Sequence, residues 1–367
     1  MISSAYVHVP FCSSVCSYCA FSRSANTSLI EDWLAVIVPE ITRTLAEEKE
    51  KNPSFSLKTL YFGGGTPGLL TPDQLSRLAV PFLPYLEEDA EWTLETNPES
   101  MSEEKLLFWK KSGINRLSVG VQSFHDESLK KLGRRHTAKE AKDALQRARK
   151  AGFRRISADL IYGLPWMSLE ETREDVQVFL QQDLNHLSIY SLQIEENSVF
   201  GKQHLAPADE DLEADEYEMI CRLLKENGFR HYEISSFCRN DEVSGHNLAY
   251  WQDDDYFGFG WGAVGRMEHA MTRYEGSLQD YLNGKSIRIQ EEDPDRAFEA
   301  LMMALRTDAG LDLQAWNERY HSDFETKYAD VLNRYRNELV LKNSHLSATE
   351  RGMEILNTIL VAFLEAG

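Results

Sequence analysis

The sequence predicts an α/β protein: a partial, (β/α)6-type parallel barrel followed by a smaller, mainly helical, winged-helix-like C-terminal domain. Two observations carry this. Short β-rich runs alternate with amphipathic stretches through residues 1–240, and the chain turns mainly helical after an aromatic, glycine-rich passage. We place the barrel at 1–240, a connecting segment at 241–290 and the C-terminal domain at 291–367.

The β-rich runs are 5–9, 57–62, 91–96, 116–122, 155–161 and 186–192, with 231–237 as a seventh. Helical patterns fill the gaps at 29–48, 71–83, 102–112, 138–151 and 168–181, several opened by a Ser or Thr suited to an N-cap. Alternation of this kind gives a parallel sheet, and six or more units favour a barrel over an open doubly wound sheet. Further on, 312–319, 328–337 and 347–363 read as helices and 338–341 as a strand. Gly260-Trp-Gly-Ala-Val-Gly265 matches the dinucleotide fingerprint by letter, but neither a preceding strand nor a following apolar helix is evident, so it reads as a loop.

Composition narrows the function classes. With 39 basic and 59 acidic residues the formal charge is −20, which argues against nucleic acid as the main partner. No signal peptide is evident and no segment approaches the ~20 apolar residues of a membrane span, so a cytoplasmic protein without an integral membrane segment is expected. Three of the five cysteines cluster, unlike the even framework of a secreted disulfide protein.

Those three, Cys12, Cys16 and Cys19, follow the first strand with the spacing Cys-x3-Cys-x2-Cys. Three thiolates on one loop can each hold an iron of a [4Fe-4S] cluster, leaving the fourth iron open to a small molecule. The alternative is structural zinc with His8 as fourth ligand. Zinc sites more often use two separated pairs, and His8 sits in a strand where it need not face the loop. Gly63-Gly-Gly-Thr-Pro67 follows the second strand, where glycine permits close backbone approach to a polar group or simply a tight turn. Glu95, Gln122, Arg134 and Asp159 lie in or just beyond apolar strands; each alone reads as a structural polar residue, but a parallel barrel brings strand ends to one mouth. His246-Asn-Leu-Ala-Tyr-Trp251 sets an imidazole beside two aromatics, a pattern of ordinary packing and also of a haem pocket.

The cysteine motif with Tyr18, followed by the glycine run, resembles the radical S-adenosylmethionine superfamily. Tyr6-Val-His-Val-Pro-Phe-Cys12, Glu95-Thr-Asn-Pro98, Ser118-Val-Gly-Val-Gln-Ser-Phe124, Leu132-Gly-Arg-Arg-His136 and Asp159-Leu-Ile-Tyr-Gly-Leu-Pro165 are similar to the oxygen-independent coproporphyrinogen oxidase-like proteins. True oxidases of that family carry a fourth cysteine two residues after the third. Phe21 stands there, and Tyr18, Phe21 and His246-Asn-x-x-Tyr-Trp251 resemble the haem chaperone branch instead. Val15, Ala20 and Val264 depart from that branch's usual residues.

The resemblance implies that Cys12, Cys16 and Cys19 bind the cluster. It implies contacts of S-adenosylmethionine with Tyr6, Tyr18, Gly64, Gly65, Thr66, Glu95, Gln122, Arg134 and Asp159, and also Gln193 and Val264, and haem contact by His246. The function implied is haem binding and delivery to recipient haemoproteins, with an electron donor as a further partner. The alternatives are oxidative decarboxylation of coproporphyrinogen III in porphyrin biosynthesis and a zinc-stabilised interaction protein.

Overall fold

Six parallel strands follow one another in space as in sequence: β1 (Ser4–Val9), β2 (Leu57–Gly64), β3 (Leu86–Thr96), β4 (Arg116–Gln122), β5 (Arg155–Tyr162) and β6 (His186–Ser191). Between them run α1 (Ile30–Lys51), α2 (Pro72–Ala79), α3 (Glu103–Lys111), α4 (Asp126–Lys131), α5 (Ala138–Lys150) and α6 (Leu169–Leu180). The structure is a computed structural model and describes residues 2–267, 270–292 and 295–367.

Period-2 alternation sorts each strand into two faces. Val7, Phe62, Leu94, Val119 and Ala158 belong to one apolar core with Trp33, Leu75, Leu106, Ala144 and Val176 of the helices. The opposite face carries Tyr6, Tyr61, Glu95, Ser118 and Asp159. The starts of α2, α5 and α6 are set by capping boxes of Thr71 with Gln74, Thr137 with Glu140 and Ser168 with Glu171. The helix expected over 71–83 ends at Ala79, with Val80 still helical as its cap, because Pro81 offers no backbone N–H to continue the ladder.

The barrel is partial. The seventh expected run, 231–237, is not a parallel strand but a hairpin of β7 (Arg230–Glu233) and β8 (Ser236–Cys238), with β8 antiparallel to β6. The segment 241–290 carries strands of the same sheet. It supplies β9 (Tyr256–Phe259), parallel to β1, and then antiparallel β10 (Val264–Met267) and β11 (Ala270–Glu275), with β12 (Ile287–Glu292) beyond, which extend one sheet to twelve strands. Phe257 and Phe259 are fully buried in the main core. A strand therefore does precede Gly260, but another strand follows, so the glycines do not form a dinucleotide turn. Gly262 has φ +93°, and a Cβ there would meet the His8 ring 2.8 Å away.

The C-terminal part has its own core around Trp316, Phe324, Tyr328 and Phe363. Its three-stranded sheet is ordered β13 (Leu311–Asp312), β15 (His345–Ala348), β14 (Leu339–Lys342), packed with short helices in the manner of a winged helix. The helix expected over 347–363 is two, Glu350–Glu354 and Leu356–Ala366. Buried Arg266 on β10 reaches Asp253 at 2.5 Å, and Arg296 and Arg319 reach the same carboxylate at 2.9 and 3.1 Å, tying the sheet to the C-terminal helices.

Candidate functional site

The cysteine loop leaves the end of β1 and is held by backbone bonds from several sides. Cys12 N–H donates to Ser24 O at 3.1 Å, Ser17 N–H to Leu132 O at 2.9 Å, and Phe200 N–H to Ser17 O at 2.9 Å. His8 also supports it. Its Nε2 lies 2.7 Å from Ser22 O and its Nδ1 3.1 Å from the Tyr6 hydroxyl, so this side chain does face the loop, as a brace.

The glycine run packs against that loop. Gly65 N–H donates to Val9 O and Thr66 N–H to Phe11 O, at 2.9 and 2.8 Å. A Cβ on Gly65 would stand 2.6 Å from Phe11 O, and one on Gly64 2.5 Å from His8. The glycines are thus required first by the close passage of the cysteine-bearing strand. The Gly64 N–H is already donated to Glu95 Oε2 at 3.0 Å.

These elements wall a cavity of about 490 Å3, within the ~300–1,000 Å3 typical of small-molecule sites. It brings together Cys12, Cys16, Tyr18, Cys19, Gly64, Gly65, Thr66, Glu95, Gln122, Arg134, Asp159 and Gln193. Gln122 closes β4 at φ +71°, an uncommon conformation for a non-glycine residue, and its amide lies over Gly120. Arg134 donates to Asn97 Oδ1 at 2.6 Å and Gly120 O at 2.7 Å, with Nη1 3.4 Å from Cys16 Sγ. Tyr61 donates to Glu95 at 2.7 Å, and Ser118 to Asp159 at 2.7 Å. Burial pushes the Asp159 carboxyl up to about 7 and raises Glu95 as well.

Three residues named from the sequence are not among the residues lining this cavity. Val264 lies on β10. Tyr6 is turned toward His8. His246, named as the haem contact, is 1% exposed, with Nδ1 2.7 Å from Thr59 Oγ1 and Nε2 2.7 Å from the Tyr250 hydroxyl. Burial lowers its pKa to about 3. Both nitrogens are occupied by the fold, so this geometry offers no axial ligand at His246. Conversely, Tyr61, Ser118 and Tyr190 line the cavity without having been singled out. Their signal was available: each lies an even number of residues from an inward-facing polar group on its own strand or the register partner.

The three thiols are free, and burial pushes Cys12 up to about 11 and raises Cys19. Such thiols become thiolates when iron takes the proton's place. Among the described residues no group of three His, Cys, Asp or Glu side chains gathers to hold a single ion. A cubane asks for no such convergence, since each thiolate takes its own iron. With His8 committed to Ser22, the residues fit the cluster better than zinc.

Comparison with known proteins gives the family. The Radical SAM superfamily profile matches residues 6–179 and that of the HemN C-terminal domain matches 292–355. Over 375 residues the chain is 34% identical to the protein named Heme chaperone HemW of Lactococcus lactis, covering 99% of this chain and 97% of that one. The chain belongs to the HemW family. The Escherichia coli HemW is 31% identical, with 98% of each chain covered. The mouse protein named Radical S-adenosyl methionine domain-containing protein 1, mitochondrial, is 35% identical over 85% of this chain and 75% of its own length. Escherichia coli coproporphyrinogen III oxidase (HemN) superposes with a TM-score of 0.83 over 99% of this chain and 90% of that one; at 21% identity this likeness establishes the fold. Membership of this HemW branch of the radical SAM superfamily implies a [4Fe-4S] cluster and S-adenosylmethionine.

Proposed function

We propose that the protein is a haem chaperone: it binds haem, holds a [4Fe-4S] cluster with S-adenosylmethionine, and passes haem to recipient haemoproteins. The observation that carries this reading is similarity to HemW proteins over essentially the whole chain. Cys12, Cys16 and Cys19 would hold the cluster. Arg134 would meet the ligand carboxylate, while Glu95 and Asp159 would accept from its amine and ribose hydroxyls. Gln122, Gln193, Tyr18 and the Gly64–Thr66 backbone would close around it.

The non-enzymatic reading is supported by Phe21, which stands where the oxidases of the family keep a fourth cysteine and is 68% exposed. An electron donor is a further expected partner. Its place of action on this reading is the cytoplasm. No helix among the described residues is long and apolar enough to cross a membrane.

The test is an anaerobic incubation of reconstituted protein with coproporphyrinogen III, S-adenosylmethionine and a reductant. No protoporphyrinogen should form where a true oxidase turns over; product formation would establish the enzyme instead.

A further inference from the structure

With His246 closed off, haem needs another ligand. The chain has ten histidines, and their environments differ sharply. His8, His136, His186 and His246 have both ring nitrogens engaged. His125 is bonded to Glu171 O, and His231 is bonded to Ile234 O and stacked on Phe237 with ring centroids 4.2 Å apart. His204 and His321 line neither the cluster cavity nor the cleft described below, and His269 lies outside the described residues.

His345 differs. It follows the β14–β15 turn, where Asn343 and Ser344 both have positive φ, and its side chain is 51% exposed. Its Nδ1 lies 3.1 Å from Asn343 O, which holds the proton on that nitrogen and leaves the lone pair on Nε2. Metal-bound histidines are oriented in this way, by a carbonyl on the other nitrogen. The nearest carboxylate oxygen, Asp312 Oδ2, is 3.9 Å from Nε2.

His345 lines a cleft of about 440 Å3 between the barrel and the C-terminal domain. Trp251, Trp316, Tyr320 and Leu311 give it flat apolar walls, and Ala304, Ala309 and Ala315 keep them shallow. Arg230 and Arg319 stand at its rim, paired with Asp308 at 3.6 Å and Asp253 at 3.1 Å. The Tyr320 hydroxyl is buried without a hydrogen-bond partner among the described residues. A planar apolar ring with two carboxylates matches these features: aromatics for the ring, arginines and the orphaned hydroxyl for the acids, an imidazole for the iron.

We propose that haem sits in this interdomain cleft with His345 Nε2 as its axial ligand. The proposal rests on the haem-chaperone reading and names its site. An open cleft with its ligand on a surface hairpin leaves the porphyrin edge within reach of an acceptor. The helix Gly245–Trp251 joins this cleft to the cluster cavity: Trp251 lines one, and His246 stacks on Tyr61 beneath the other.

Hemin titration of the full-length reconstituted protein, followed by the Soret band, tests it. Wild type should bind one equivalent. His345→Ala should bind at least tenfold more weakly and lose the histidine-ligated spectrum, with added imidazole restoring the band and with iron, sulfide and S-adenosylmethionine binding unchanged. Ala315→Trp, at an exposed position lining the cleft, should also weaken binding. Wild-type binding matched in affinity and spectrum by both variants would overturn the cleft while leaving the haem reading intact. Absence of binding by wild type would overturn both.

Discussion

The imidazole of His246 lies nearly parallel to the ring of Tyr61, with centroids 5.0 Å apart and planes inclined by 27°. Tyr61 in turn donates to Glu95, and Glu95 accepts from Gly64 N–H. The histidine of the His-Asn-x-x-Tyr-Trp motif is thereby a floor under the cluster cavity, two contacts from its acidic wall. Replacing His246 by Ala opens a buried gap and strands Thr59 and Tyr250, a loss of about 3 kcal/mol. Denaturant unfolding should register that loss. S-adenosylmethionine binding should weaken with it, whereas haem stoichiometry should persist.

Acid should destabilise the protein well above the carboxylate range. His246 is held near a pKa of about 3 against 6.5 unfolded, and burial also lowers His8 and His186. Below pH 6.5 the unfolded chain takes up protons that the folded chain refuses. Stability is therefore full above 6.5 and falls as pH drops toward 3, by up to about 1.4 kcal/mol per pH unit for each such group. Melting temperatures between pH 7.5 and 5 should show the slope, and His246→Phe should reduce it.

Asp159 carries the opposite sign. Its folded pKa is raised to about 7 from 3.8, so the folded protein retains a proton that the unfolded chain releases. Its contribution is intact below pH 3.8 and is lost as pH rises through 7. Asp159→Asn should accordingly gain stability relative to wild type from pH 4 upward and level off above 7, while weakening S-adenosylmethionine binding. Thermal melts of the two ligand-free proteins across that range check the first part, and equilibrium dialysis the second.

Gly65→Ala probes the contact between cysteine loop and glycine run. A methyl group 2.6 Å from Phe11 O and 2.7 Å from Val9 O must push the two strand ends apart. Iron and sulfide retained after anaerobic reconstitution should fall well below wild type, with the helical circular dichroism preserved.

Much of this was legible in the sequence, unevenly. The six parallel strands announced themselves because both faces of each are covered and the caps between them are explicit. The cavity followed, since parallel connections send every strand end to one mouth. Residues 231–237 misled because a continuous β-rich run conceals the turn at Ile234 and Ser235 that folds it into a hairpin. The strands 256–259 and 264–267 were missed because glycine and aromatic residues obscure their alternation. His246 is harder to read from sequence: its spacing to Tyr250 suits a ligand as well as it suits one helical turn, and the hydrogen bond with Thr59 comes from 187 residues away. His345 gave no signal beyond the Asn-Ser turn before it, because the cleft it lines is made by tertiary packing.

Transfer of haem tests the central claim most directly. Reconstituted protein loaded with one equivalent of haem is mixed anaerobically with apomyoglobin, and the Soret band is followed. Transfer should proceed faster than spontaneous release into buffer, and faster with cluster and S-adenosylmethionine present than in Cys16→Ser protein. A transfer rate equal to that of haem carried by serum albumin, unaffected by Cys16→Ser, would contradict the account.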